Sequence, residues 1–109
     1  PTRHPSTLGD ERAVSVAAGR YHSLALTAGG AVFTWGDGDY GKLGHGDEQN
    51  QLLPKKVEAL AGRRVVAVSA GPFHSIAIAD GAVFTWGKGE GGCLGHAEDL
   101  SDQLLPKKI

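Results

Sequence analysis

The chain has no methionine and one cysteine, Cys93, in 109 residues. A single thiol excludes an internal disulfide framework and fits a reducing compartment. No apolar run is long enough to cross a bilayer as a helix, and the first residues do not read as a signal peptide. Neither sign of charge dominates: 11 Lys and Arg stand against 12 Asp and Glu. That balance gives no general attraction to nucleic acid or to an anionic membrane. A chain without Met that starts at Pro1 is expected to be an excised, processed or engineered piece, and an intracellular setting, cytoplasm or nucleus, is expected with it.

What is abundant is glycine, with 17 residues against a usual share of ~7%. Glycine at that density points to many tight turns. It also recurs. Residues 19–57 align on 71–109 with one deletion opposite Gly30 and one insertion at Asp102, and 22 of 38 pairs are identical. Chance does not produce that, so the chain is two copies of one unit. The division is 1–11 as a lead-in and possible outer strand of a preceding blade, 12–60 as the first repeat and 61–109 as the second.

Each copy carries four strand-like segments: 14–18, 22–27, 31–35 and 53–57, then 66–70, 74–79, 82–86 and 105–109. They alternate with period two and are bounded by glycine. Ala28-Gly29-Gly30 and Asp80-Gly81 read as hairpin turns. Pro54 and Pro106 each lack a ladder donor, which places the fourth strand on an edge. Alternation puts His22, Leu24 and Leu26 opposite Ser23, Ala25 and Thr27, and Phe33 and Trp35 opposite Val32 and Thr34. One face is expected to be bulky, the other small, with sheets stacking bulky on small. The fold class is therefore all-β: two four-stranded antiparallel blades of a β-propeller, as part of a larger ring or as a self-assembling piece.

The strings Ala18-Gly19-Arg20-Tyr21-His22-Ser23-Leu24, Phe33-Thr34-Trp35-Gly36 and Gly41-Lys42-Leu43-Gly44-His45-Gly46 resemble the regulator of chromosome condensation repeat family. Ala70-Gly71-Pro72-Phe73-His74-Ser75, Trp86-Gly87 and Gly92-Cys93-Leu94-Gly95-His96 repeat the resemblance. It implies a seven-bladed propeller as the parent fold. The stretch from Trp35 to His45 looks most like repeats of giant ubiquitin ligases. The family's exchange factor for a small GTPase carries an inserted wedge, and neither 36–51 nor 87–103 is long enough for one. The family's ultraviolet photoreceptor has Trp where Arg20 and Pro72 stand here.

No enzymatic chemistry emerges from the residues. Gly36 to Gly41 and Gly87 to Gly92 match G-x-G-x-x-G, but phosphate binding needs a following helix and Lys42-Leu43-Gly44-His45-Gly46 is too glycine-rich. Asp37, Asp39 and Asp47 offer carboxylates to a hard cation, yet Lys88 replaces Asp37 in the second copy and no bidentate Glu follows. His22, His45, His74 and His96 recur by position and are not clustered as zinc ligands are. His22 and His74 are expected to anchor turns, their ring nitrogens satisfying backbone groups beside Gly19 and Gly71. Ser23 and Ser75 are not nucleophiles, since adjacent strand residues face opposite ways. Trp35 and Trp86 are expected in the core. Lys55, Lys56, Lys107 and Lys108 guard an outer edge.

The expectation is a non-enzymatic protein-interaction scaffold without cofactor, metal, small-molecule substrate or membrane partner, belonging to a larger regulatory protein such as a ubiquitin ligase. The alternatives are a guanine-nucleotide exchange factor and a chromatin-binding module; direct nucleic-acid contact is not expected. Loop positions that differ between the copies are the candidate contacts for a protein partner: Asp37, Asp39, Tyr40, Asp47, Glu48, Lys88, Glu90, Asp99 and Leu100. Apolar outer faces, with Leu24, Leu26, Ile76 and Ile78 or their neighbours in water, are expected to make the isolated chain associate as a trimer or tetramer. Pro1 to Pro5 are expected to fasten such a ring.

Overall fold

The computed structural model describes residues 12–90, 94–96 and 99–109. The lead-in 1–11, with the fastening role expected of Pro1 to Pro5, lies outside the described residues. Eight strands form two separate antiparallel sheets, each in simple sequential order. The first blade holds β1 (Ala13–Ala18), β2 (His22–Thr27), β3 (Val32–Gly36) and β4 (Gln51–Lys56). The second holds β5 (Val65–Ala70), β6 (His74–Ala79), β7 (Ala82–Gly87) and β8 (Gln103–Lys108). Between strands lie the 3₁₀ turns Asp39–Gly41 and Glu58–Leu60.

Local chemistry accounts for the turns. Gly30, at φ +89°, returns its N–H to the Thr27 carbonyl and closes the first hairpin. Asp80 and Gly81 both have positive φ, 54° and 74°, which is the two-residue type I′ connection that matches strand twist. The second hairpin is thus one residue shorter, which is the physical content of the deletion opposite Gly30. Pro54 and Pro106 fall in β4 and β8, each on a sheet edge.

Register corrects the expected faces. Ser23 pairs with Trp35, Ala25 with Phe33, Leu24 with Thr34 and Leu26 with Val32. Paired residues share a face, so each side of the sheet mixes bulky side chains from one strand with small ones from the next. No face is uniformly bulky or uniformly small. Leu24, Leu26 and Val32 of the first blade lock onto Ala77, Ala79, Phe84 and Trp86 of the second, with Val57, Leu60 and Val65 closing the lower end. Leu24 and Leu26, expected in water, are therefore buried in the seam between blades. On the opposite face of β2 and β3 in the first blade, Ala25, Thr27 and Phe33 are buried as well, and only Ser23 and Trp35 are partly exposed. Trp86 is 0% exposed and anchors this core, whereas Trp35, on the outer face of the first blade, is only half-buried.

Candidate functional site

The β1–β2 and β5–β6 turns and both long loops after β3 and β7 emerge at one end of the blades. All nine expected contact residues lie on those two long loops. What holds the loops is a set of buried side-chain bonds repeated in each blade. Thr34 Oγ1 donates to the Leu43 carbonyl at 2.6 Å and meets His45 Nε2 at 2.8 Å. Thr85 does the same to Leu94 at 2.7 Å and His96 at 2.8 Å. With its proton given to a carbonyl, each threonine oxygen accepts, so the histidines are Nε2–H tautomers.

A third bond crosses the seam. Ser75 Oγ donates to the Lys42 carbonyl at 2.7 Å, and His22 Nε2 lies 3.0 Å from the same oxygen. His22 therefore donates Nε2–H to a serine of the next blade, and its ring packs under Gly19, where any Cβ would fall 2.1 Å from Cε1. This replaces the expected bond to backbone beside Gly19. Nδ1 is buried without a partner. Burial, then the positive charge of Lys42, lowers the His22 pKa to about 4. Ser75 does meet a histidine, but its proton is committed to a carbonyl and it is fully buried, so the pair is a clasp and not a nucleophile.

Above this clasp the loop surface is built on Lys42. Its side chain is buried, and Nζ bonds Asp37 Oδ2 at 2.9 Å. That bond holds the Asp37 carboxyl below its ordinary range. Tyr40, at φ 66°, stands in the left-handed region that strains any side chain. Its N–H is held by Glu48 Oε1 at 3.0 Å, and its ring meets Phe73 of the second blade edge-on at 5.6 Å. Lys88 Nζ sits 4.9 Å from the Tyr40 ring centre and 5.0 Å from that of Phe73, while bonding Glu90 at 3.2 Å. Asp37, Tyr40, Glu48, Lys88 and Glu90 thus converge on the mouth of the seam, with Asp39 exposed beside them. Phe73 was missed from sequence. Its signal was a position next to the His-Ser pair that both copies share, filled by Tyr21 in one copy and Phe73 in the other.

Asp47 and Asp99 have a different character. Asp47 Oδ1 accepts the Gln49 N–H at 3.1 Å, and Asp99 Oδ1 accepts the Ser101 N–H at 3.1 Å. Asn50 caps Gly38 N–H at 2.8 Å just as Asp102 caps Gly89 N–H at 3.0 Å. Asp99 is therefore the counterpart of Asp47, and Asp102 of Asn50. The extra residue of the second copy lies between His96 and Asp99, not at Asp102. Lys107 also bonds Asp99 at 2.8 Å, and together with Ser101 it holds that carboxyl well below the usual range. Leu100 is exposed beside it.

The model for the regulator of chromosome condensation (RCC1) repeat matches residues 29–78 and 80–109, and a second RCC1 repeat model matches 13–42. The chain belongs to the RCC1 repeat family. Human E3 ubiquitin-protein ligase HERC2 is 47% identical over 97 residues, which cover 88% of this chain and 2% of HERC2. The ultraviolet-B receptor UVR8 of Arabidopsis thaliana is 41% identical over 95 residues, 86% of this chain and 21% of the receptor. Among solved structures, Prp20p of Saccharomyces cerevisiae superposes with a TM-score of 0.83 at 28% identity, covering 93% of this chain and 26% of Prp20p. Human WBSCR16 superposes with a TM-score of 0.83 at 34% identity, covering 92% of this chain and 26% of its own. The chain spans a small part of each, and the two RCC1 repeats are adjoining blades of that propeller architecture.

Proposed function

We propose that the chain is a non-catalytic protein-interaction portion of a larger intracellular regulatory protein, such as a ubiquitin ligase. The observation that carries this reading is the contrast at the loop end. A threonine–histidine bond repeated in each blade, with one His22–Ser75 clasp across the seam, fixes the loops, and side chains that differ between the copies stand on it at the mouth of the seam. Rigid framework beneath variable side chains is how propellers present a binding surface. The identity with HERC2 supports the ligase setting. The partner contacts are Asp37, Asp39, Tyr40, Glu48, Lys88, Glu90 and Leu100, with Asp47 and Asp99 shaping their loops.

The test is a loop exchange that leaves the Asp37–Lys42 bond in place: Asp39→Glu and Tyr40→Gly give the first blade the second blade's residues at those positions. Captured partners should bind at least tenfold more weakly to this variant, while its circular dichroism stays that of the parent. Undiminished capture would remove the loop end from consideration. A second reading, guanine-nucleotide exchange, is favoured by the likeness to Prp20p, whose binding to Gsp1p and histones was studied with its structure. Nucleotide release from a panel of small GTPases separates it from the scaffold reading, and salt-dependent retention on nucleosomes separates chromatin binding. We also propose that the isolated chain associates, as a trimer or tetramer.

A further inference from the structure

We propose that the end of the blades opposite the long loops holds a further binding site, a seat for one oxyanion on an acidic side chain of a partner protein. Chain direction puts the β2–β3 hairpin, the β4–β5 connection and the β6–β7 hairpin at that end. Between the first two lies a cavity of about 310 Å³, lined among others by Gly29, Gly30, Leu60, Gly62, Arg63 and Arg64. Every lining residue falls between Gly29 and Arg64. The site is thus built at the joint of two blades and needs neither outer face of the chain.

Backbone bonds at the joint shape the cavity. Val65 N–H donates to the Gly30 carbonyl at 3.1 Å, Val57 N–H to that of Val32 at 2.8 Å, and Arg63 N–H to that of Leu60 at 3.1 Å. The floor is apolar, since Val32, Val57 and Leu60 line it and are buried. Glycine opens the rim. Gly30 lets Arg64 approach, for a Cβ there would fall 3.1 Å from Arg64 Cα, and nothing lies within 4 Å of a Cβ built on Gly62.

Two arginines stand at this rim. The Arg63 guanidinium lies over the Phe84 ring at 4.8 Å, across the end of the seam, and 3.7 Å from Asp80 Oδ2. Both side chains of that ion pair are about half exposed, so the bond is loose and a better acceptor can replace it. Arg64 has no ion pair among the described residues. Besides Asp80, the nearby carboxylate is Glu58, exposed on the turn that carries Leu60. Arginine forks match the paired oxygens of a carboxylate or a phosphoryl group, and an apolar floor suits the stem that bears it. A nucleic-acid backbone asks instead for a row of cations, which two neighbouring arginines do not form. The charge is particular to this joint: Gly62-Arg63-Arg64 stands where the first copy reads Asp10-Glu11-Arg12 in sequence.

The test follows backbone and arginine N–H signals by NMR during titration. The probes are inorganic phosphate, then short capped peptides of glycine and leucine that differ only in a central glutamate, phosphoserine or serine. Signals of Gly29, Gly30, Gly62, Arg63 and Arg64 should move together and saturate with phosphate at about 1–10 mM. One or both acidic peptides should bind about tenfold more tightly than the serine peptide, and whichever does so names the source of the oxyanion. Arg64→Gln should remove that advantage, while Lys108→Gln, an exposed cation on the outer strand of the second blade, should change nothing. Arg63→Gln should act as Arg64→Gln does; if it loosens the fold through the lost Phe84 contact, Arg64→Gln decides alone. Shifts scattered over the surface cations, a response to phosphate with none to the peptides, or equal binding of all three peptides would each overturn the proposal. So would Arg64→Gln binding as wild type does, or a single-stranded oligonucleotide bound as tightly as the acidic peptides. Asp39→Glu and Tyr40→Gly at the loop end should leave these results unchanged, so either reading can fail without the other.

Discussion

Acid should loosen this fold through His22, and the size of the effect follows from its burial. The ring is 3% exposed, donates Nε2–H to Ser75 and has its pKa lowered from 6.5 to about 4. In the unfolded chain the same ring takes up a proton near its ordinary value. Between those two values the unfolded state binds a proton that the folded state does not. Stability is then full above about pH 6.5, falls as pH drops toward 4, and levels off below. At 1.36 kcal/mol per unit, the whole fall is about 3 kcal/mol, with about 2 kcal/mol lost by pH 5. Burial lowers the His45 and His74 values too, which adds a slope of the same sign.

Urea denaturation of wild type and His22→Gln, at intervals from pH 7.5 to 4.5, isolates the His22 share. The variant should start lower at pH 7.5, having lost a buried donor of ordinary worth, about 1 kcal/mol, yet decline less steeply. Lys42→Met should raise the His22 pKa toward 6.5, because the Lys42 charge is the second cause of the shift after burial. A wild-type curve flat within about 0.5 kcal/mol from pH 7.5 to 5 would refute the reasoning. So would equal slopes in wild type and His22→Gln.

The two tryptophans should separate in the same assay. Trp86→Ala should cost about 3–5 kcal/mol, and Trp35→Ala less than half of that in dilute solution, with a cost that grows with protein concentration if copies associate. Gly81→Ala should cost about 1 kcal/mol from its left-handed backbone alone, since nothing lies within 4 Å of a built Cβ. Gly44→Ala, at a similar φ but with Trp86 in the way, should cost about 1–3 kcal/mol more, read as a shift in denaturation midpoint.

The repeat made most of this fold legible, because one copy tests the other. Strands β2 and β6 begin and end where the alternation does. The faces were a different matter. Alternation says which residues of one strand share a side, but not which side of the neighbouring strand joins them. That is set by register, and here Ser23 stands beside Trp35, Leu24 beside Thr34. Two readings per strand pair are equally consistent with the pattern, and the bulky-on-small choice was the incorrect one. The cross-seam clasp spans 53 residues. It nevertheless left a trace: His and Ser recur as neighbours on opposite sides of a strand. In stacked sheets, the histidine side of one blade must face the serine side of the next.

The loop end separates framework from variation more sharply than residue-by-residue alignment did. Moving the extra residue of the second copy ahead of Asp99 pairs Asp47 with Asp99 and Asn50 with Asp102, and each pair makes one bond in common. These positions change little because turns depend on them. What then differs between the loops includes Asp37 against Lys88, Lys42 against Cys93, Glu48 against Leu100, and Tyr40, where the second copy has Gly91 in sequence. Tyr40 holds a left-handed backbone that glycine would adopt without strain, at a cost of about 1–2 kcal/mol. Its contacts to Phe73 and Lys88 return a similar amount, about 0.5–1.5 kcal/mol for an aromatic pair and 0.5–1 for an exposed cation over a ring. Stability is thus close to indifferent between tyrosine and glycine at this place. A half-exposed ring that folding does not require, set at the mouth of the seam, is what the proposed partner contact at Tyr40 calls for.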